Sequence, residues 1–378
     1  MFFANGAVIG TWVAQIPFLQ QRFDLPTSTM GLLLSGTSVA VILIVPVAGQ
    51  AVARHGSARV TWIGGIACAL AVSLVVLAPR PLLVAAALFV VGGTSATMDV
   101  AMNTHGVGVE QRLGRPIMSS LHAGWSFGGM TGAAFAAVLA GLGVGAQGTV
   151  AAASALIVVA VIVFGRRIGP GSAGAGEDTP RFTLPSRGVV LLAVLCLLVM
   201  VTEGAMGDWA GLYLRQDLGA DRALAALAFA FFTAGMTAGR IVGDAVNRRI
   251  GPVALLRWGA LLTGIPLVAM LLVGAQGAAF AGLFAIGLGV ANGVPLMFSA
   301  AGRQPDTPPG PGIAAVSSMG SLGFLAGPPF IGFLAAATSL PWALSTLAGG
   351  AAIVFALARR AAGRTVPEGA AEPARAAA

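Results

Sequence analysis

Asp99 and Asn103 stand four residues apart inside an apolar run, the spacing that sets two side chains on one face of a helix. A carboxylate in a membrane span costs roughly 3 kcal/mol on insertion scales and is usually kept for ion or substrate handling. Low dielectric works against the charged form of any carboxyl. An acid that gains and loses a proton there can load it from one side of a membrane and release it to the other. Asp99 is therefore the leading candidate for proton coupling, with a packing bond to Asn103 as the structural alternative. Glu203, in the middle of a later apolar run, is a candidate second proton or substrate site or else an interhelical hydrogen-bond partner. Asp208 lies five residues further, about 140° round a helix, and reads as a gate or interface residue.

His122 makes a polar stripe with Ser119 and Ser126 at helical spacing, beside Gly124, Gly128, Gly129 and Gly132, which permit close backbone approach. Its imidazole suits a proton shuttle or a substrate hydroxyl, or it caps the end of its helix. Trp12 and Gln15, Trp125, and Trp209 could offer a stacking face and hydrogen bonds to a small polar solute; the alternative is an interfacial aromatic belt, preferred for Trp342. Asn292, Gly293 and Pro295 interrupt another apolar run, the kind of break that transporter helices show beside a substrate. His105, His122 and Asp99 carry no short ligand-spacing motif, so no metal site is expected. Cys68 and Cys196 sit singly within apolar runs and read as packing residues.

The elements that must position these groups are membrane helices. Hydrophobic residues make up 57% of the chain and charged residues 9%, with a mean hydropathy of +0.90, which excludes a soluble globule. Runs long enough to span a bilayer fall near 1–20, 28–52, 60–78, 82–106, 117–142 and 149–165, then near 188–213, 223–246, 253–273, 277–300, 312–336 and 340–358. Asn5 and Gln15 interrupt the first run, which argues against a cleaved leader. Every basic side chain other than histidine is an arginine. Alternate loops are rich in them: Arg54 and Arg59, Arg112 and Arg115, Arg166 to Arg187, Arg248 to Arg257, Arg303, and the tail. The positive-inside rule then places both termini in the cytoplasm. The net charge of +8 is read as topology; a nucleic-acid partner is not expected, because no basic cluster is interleaved with aromatics.

Residues 166–187, rich in Gly, Pro, Ser and charge, read as a cytoplasmic linker between a six-helix bundle at 1–165 and another at 188–358. A disordered cytoplasmic tail at 359–378 follows. The halves repeat one another: setting Arg54 on Arg249 also sets Gly56 on Gly251, just after the second and eighth spans. A tight hairpin needs Gly to turn it and Arg to hold the inner face.

With these features the chain resembles the major facilitator superfamily, whose Gly-x-x-x-Asp-Arg-x-Gly loop follows the second and eighth helices. Here Ala53 stands where the first copy usually has its acid. In the second copy Asp244 lies four residues after Arg240, a spacing for an ion pair that would hold a cytoplasmic gate with Arg54 and Arg249. Within the superfamily the chain is most similar to the fucose-permease-like branch and its YbjJ-type bacterial inner-membrane relatives. The likeness rests on Met98-Asp99-Val-Ala-Met-Asn103, Arg115-Pro-Ile-Met-Ser-Ser-Leu-His122 and Glu203-Gly-Ala-Met-Gly-Asp208-Trp209. The resemblance implies an all-α fold of twelve transmembrane helices in two pseudo-symmetric six-helix bundles, with Asp99 as the protonatable acid. It further implies a single-chain secondary transporter in a bacterial cytoplasmic membrane. Such a protein would move a small polar solute, a sugar or related metabolite, without a cofactor and on the proton gradient. Efflux of drugs or metabolites is the alternative, ahead of a non-transporting sensor. An enzyme is not expected, since no nucleophile and base sit in a motif.

Overall fold

The computed structural model describes residues 1–113, 117–169, 186–304, 306–307 and 309–362. Arg115, most of the expected linker, residues 363–378 and the side chain of Ser119 lie outside what is described. Among the described residues, 12 helical stretches are long and apolar enough to cross a membrane. The first half holds α1 (Phe2–Val13), α2 (Ile16–Phe23), α3 (Thr27–His55), α4 (Ser57–Leu77), α5 (Pro81–Leu113), α6 (Met118–Gly141) and α7 (Ala146–Gly165). The second holds α8 (Arg187–Gln216), α9 (Arg222–Ile250), α10 (Pro252–Val273), α11 (Gln276–Val290), α12 (Gly293–Ala301), α13 (Pro309–Ala337) and α14 (Leu340–Ala362). The last helix therefore continues past 358, into the first residues of the expected tail.

Two spans are each built from two helices, and a proline stands in the first turn after each break. Pro17 in the first turn of α2 has no N–H to return to the preceding turn. Gln15 supplies a donor instead, its Nε2 reaching the Thr11 carbonyl at 3.4 Å. Pro295 likewise withholds an N–H in the tenth span, where Asn292 Nδ2 donates across to the Gly239 carbonyl of α9 at 3.0 Å. The break at Asn292 is legible in the sequence. The one at Gln15 is not, because a single proline in an apolar run is compatible with an unbroken membrane helix.

The internal repeat is visible in the backbone. Gly56 turns α3 into α4 and Gly251 turns α9 into α10, each at φ 80°, a conformation that favours glycine. Packing repeats as well: α1 lies on α6 as α8 lies on α13, α3 on α5 as α9 on α11, and α4 on α7 as α10 on α14. The two bundles meet along α6–α9 and α3–α13, seams that the same relation exchanges.

Within the first bundle, α1 and α6 approach backbone to backbone. A Cβ on Gly6 would overlap the Trp125 carbonyl, one on Gly10 that of Gly129, one on Gly128 that of Phe3, and one on Gly132 that of Ala7. Gly124, on the same helix, has open space instead. Gly10→Val is accordingly expected to lower stability by about 2 kcal/mol or more, since no flexible neighbour can yield. Gly124→Ala is expected to be neutral or slightly stabilising. Thermal unfolding of the purified proteins in detergent measures both; equal melting points for the two variants would remove the close-approach argument.

Candidate functional site

A cavity of about 340 Å³ lies between the bundles. Helical spacing carries each helix's contribution: Asn5, Ile9 and Trp12 from α1, Gly92, Ser95 and Asp99 from α5, and Phe229, Phe232 and Thr233 from α9. Trp125 comes from α6, Thr37 and Ser38 with apolar neighbours from α3, and Ser321 and Phe324 from α13. From α8 come Glu203, Gly204, Gly207 and Asp208. The two glycines leave room for rings: Phe324 fills the space a Cβ on Gly204 would need, and Phe229 stands beside Gly207.

Most polar groups of the wall are turned to the chain itself. Trp125 Nε1 donates to Asn5 Oδ1 at 2.8 Å, and Asn5 Nδ2 donates to Ser95 Oγ at 3.4 Å. The Thr37, Ser38, Thr233 and Ser321 hydroxyls all donate to backbone carbonyls. The carboxyls differ. Asp99 is exposed and accepts at 3.1 Å from Asn103 Nδ2, which also reaches the Asp99 carbonyl at 2.9 Å. Glu203 has no hydrogen-bond or ion-pair partner among the described residues and lies in the field of the Arg240 charge. Asp208 has no hydrogen-bond or ion-pair partner among the described residues.

Beyond the cavity, on the side of α2, polar contacts join the bundles: Gln216 Nε2 donates to Gln20 Oε1 at 2.6 Å, and Arg222 Nη2 to Gln15 Oε1 at 3.3 Å. Toward the opposite end, where α3 and α9 finish in arginines, Arg240 of α9 donates to Ser126 Oγ and to the His122 carbonyl of α6.

Of the residues nominated from the sequence, the structure brings Asp99, Glu203, Trp12 and Trp125 to the cavity, with Asn103 beside Asp99. It does not bring the others there. Gln15 is buried at the α1–α2 break. Ser126 is buried against Arg240. His122 is exposed on the edge of α6, its ring 5.3 Å from that of Phe2. Trp209 is wholly buried in the core, against Gly332, and Asn292 is turned to α9. Arg240 does not pair with Asp244 along its own helix; it reaches across to α6, because Asp244 lies on the exposed side near the helix end. Arg54 and Arg249 are exposed at the matching ends of α3 and α9. Asp208, read from the sequence as gate or interface, lines the cavity. The arc of α8 facing the cavity is wider than the 140° between Glu203 and Asp208. Asn5, Ser38, Ser95, Phe229 and Phe324 were not singled out; only Asn5, a polar residue in the first apolar run, gave a signal that could have found it.

The family model for the Major Facilitator Superfamily matches residues 1–310 and 211–377. An uncharacterized MFS-type transporter of Yersinia pestis is 32% identical over 347 residues, 92% of this chain and 90% of that protein. The membrane protein MosC of Rhizobium meliloti is 30% identical over 350 residues, 91% of this chain and 84% of that protein. Among solved structures the chain is similar to a bacterial homolog of the human lysosomal transporter Spinster in its inward-facing and occupied conformation. The TM-score is 0.78 at 13% identity, over 97% of this chain and 95% of that one. A variant of the nucleoside transporter NupG gives 0.76 at 10% identity, over 95% of this chain and 97% of that one. At such identities these two likenesses are of fold.

The Asn5–Trp125 bond ties α1 to α6 at the cavity wall. Asn5→Ala leaves the indole N–H without its partner and is expected to cost about 1–2 kcal/mol. In a double-mutant cycle with Trp125→Phe the losses are expected to be less than additive. Strict additivity in thermal unfolding would show that the bond contributes nothing.

Proposed function

The chain belongs to the Major Facilitator Superfamily and is a multi-pass membrane transporter; we propose that it moves a small polar solute by alternating access and couples that movement to protons. The observation that carries this is the placement of Asp99 and Glu203 on one cavity between two pseudo-symmetric bundles. The bundles are joined by polar contacts on the side of α2 and by Arg240 toward the other end, and Asp99 is exposed. The charge asymmetry of the loops supports a cytoplasmic position for the arginine-rich ends and an outer one for the α2 side. Rocking one bundle against the other about the α6–α9 and α3–α13 seams would then present the same acids to the opposite side. The proton gradient supplies the energy and no cofactor takes part. The working unit is one chain in a bacterial cytoplasmic membrane, with both termini inside.

A second reading, efflux of drugs or metabolites, is favoured by the rings of Trp12, Phe229, Phe232 and Phe324 in the cavity wall. Cells lacking the protein distinguish the two: lost accumulation of a nutrient marks uptake, and heightened sensitivity to a toxic compound marks export.

Coupling is tested with purified protein in liposomes carrying an internal pH dye, challenged in turn with sugars, sugar acids, nucleosides, amino acids and amines. At least one solute is expected to move protons with it. In Asp99→Asn the proton-driven accumulation of that solute is expected to fall to the level of empty liposomes, while solute exchange persists. Undiminished uphill uptake in the variant would take the coupling role from Asp99.

A further inference from the structure

The cavity wall offers many acceptors and few donors. Three carboxyls line it, and none of its lining residues is basic. The hydroxyls of Thr37, Ser38, Thr233 and Ser321 already give their protons to backbone carbonyls. The Trp125 indole donates to Asn5, and the Asn5 amide donates to Ser95 Oγ and Met98 Sδ. A solute rich in hydroxyls needs donors as well as acceptors, and an anionic one needs a cation. The first finds little beyond the Trp12 indole N–H, which has no acceptor among the described residues, and the second finds no basic side chain in the wall. A protonated amine has N–H donors and no acceptor, the complement of this wall.

The three acids are not equivalent. Asp99 is bonded to Asn103, and Glu203, though without a hydrogen bond or ion pair among the described residues, lies in the field of the Arg240 charge. Asp208 faces the cavity without any partner among the described residues. A carboxylate withdrawn from water without a partner is costly, and a bound cation removes that cost. On the same side of α8, Phe324 and Phe229 close over the glycine positions beside it, and aromatic faces within about 6 Å attract an ammonium group.

We propose that the cavity takes a small organic amine in its protonated form, with the Asp208 carboxylate as counter-ion and the rings of Phe229 and Phe324 beside it. The volume of about 340 Å³ lies at the small end of the range for ligand pockets and suits a metabolite-sized amine. This rests on the transport reading above and names the class of solute for the same cavity.

The test uses two matched sets of ligands on the purified full chain: glucosamine, glucose and glucuronate, and cyclohexylamine, cyclohexanol and cyclohexanecarboxylate. Ligand-dependent thermal shift reads binding to the folded state. In the wild-type protein the amine of at least one set is expected to bind, and its neutral and acidic counterparts to bind at least tenfold more weakly. Asp208→Asn is expected to lose about thirtyfold or more of the amine affinity, the scale for removing one member of a buried charge pair. Asp208→Glu is expected to keep the preference. A neutral or acidic ligand that matches the amine, or an intact preference in Asp208→Asn, overturns the assignment. The wild-type preference stands as a test even if neither variant folds. Silence from both amines together with proton-linked movement of another solute in the liposomes overturns the amine and leaves the transporter. Amine binding without proton-linked movement of any solute supports the Asp208 site and removes the coupling reading instead.

Discussion

A carboxyl carried into a hydrocarbon layer has to meet water, a counter-charge or a proton, and the architecture of this chain follows from having three. Asp99 on α5 and Glu203 and Asp208 on α8 can remain in membrane-spanning helices only where the bundles stand apart. The gap requires tight packing elsewhere. Glycines draw α1 against α6 until backbone touches backbone, and Gly235 and Gly287 do the same for α9 and α11. Apolar helices gain little from burial against one another in lipid, so this close fit supplies the cohesion. Polar side chains serve the same economy: Gln15 satisfies backbone where the first span breaks, and Asn292, at the break in the tenth, ties that span to α9.

The seams between bundles are of another kind. Ser38 reaches the Phe324 carbonyl across α3–α13, and Arg240 reaches Ser126 across α6–α9. Long polar side chains joining two rigid bodies can exchange partners with little repacking of either interior, whereas interdigitated cores resist graded deformation. Arg240 has a double attachment. Its hydrogen bonds go to the first bundle and its charge acts on Glu203 of the second.

Much of this was legible in the sequence. Twelve apolar runs, the Asp99–Asn103 pair, the break at Asn292 and the repeated Gly56 and Gly251 turns follow from local rules of length, spacing and backbone conformation, and the structure has each of them. Which partner a polar side chain chooses across a gap is different information. Arg240 had an acid at ideal spacing on its own helix, yet it turns to α6, because the neighbouring helix offers acceptors away from the exposed helix end. Trp209 carries the polar N–H of a ligand-stacking residue but sits in the core. The rotation of α8 lays it against Gly332, remote in sequence.

Asp208 shows where helix-wheel reasoning fails most instructively. An angular separation of about 140° from Glu203 suggests opposite surfaces only if the helix divides its perimeter between one cavity and its packing neighbours in narrow sectors. Gly204 and Gly207 remove side-chain bulk from the sector between the two acids, and Phe324 and Phe229, from helices further along the chain, enter it. The helix then gives a wide arc to the cavity, with an acid at either margin and the two rings laid over the glycines between them. Small residues between two costly ones are thus a joint signal. They widen the surface that a helix can give to a site, and they let side chains from elsewhere define its chemistry, so the acids on α8 have to be read together with the glycines that separate them.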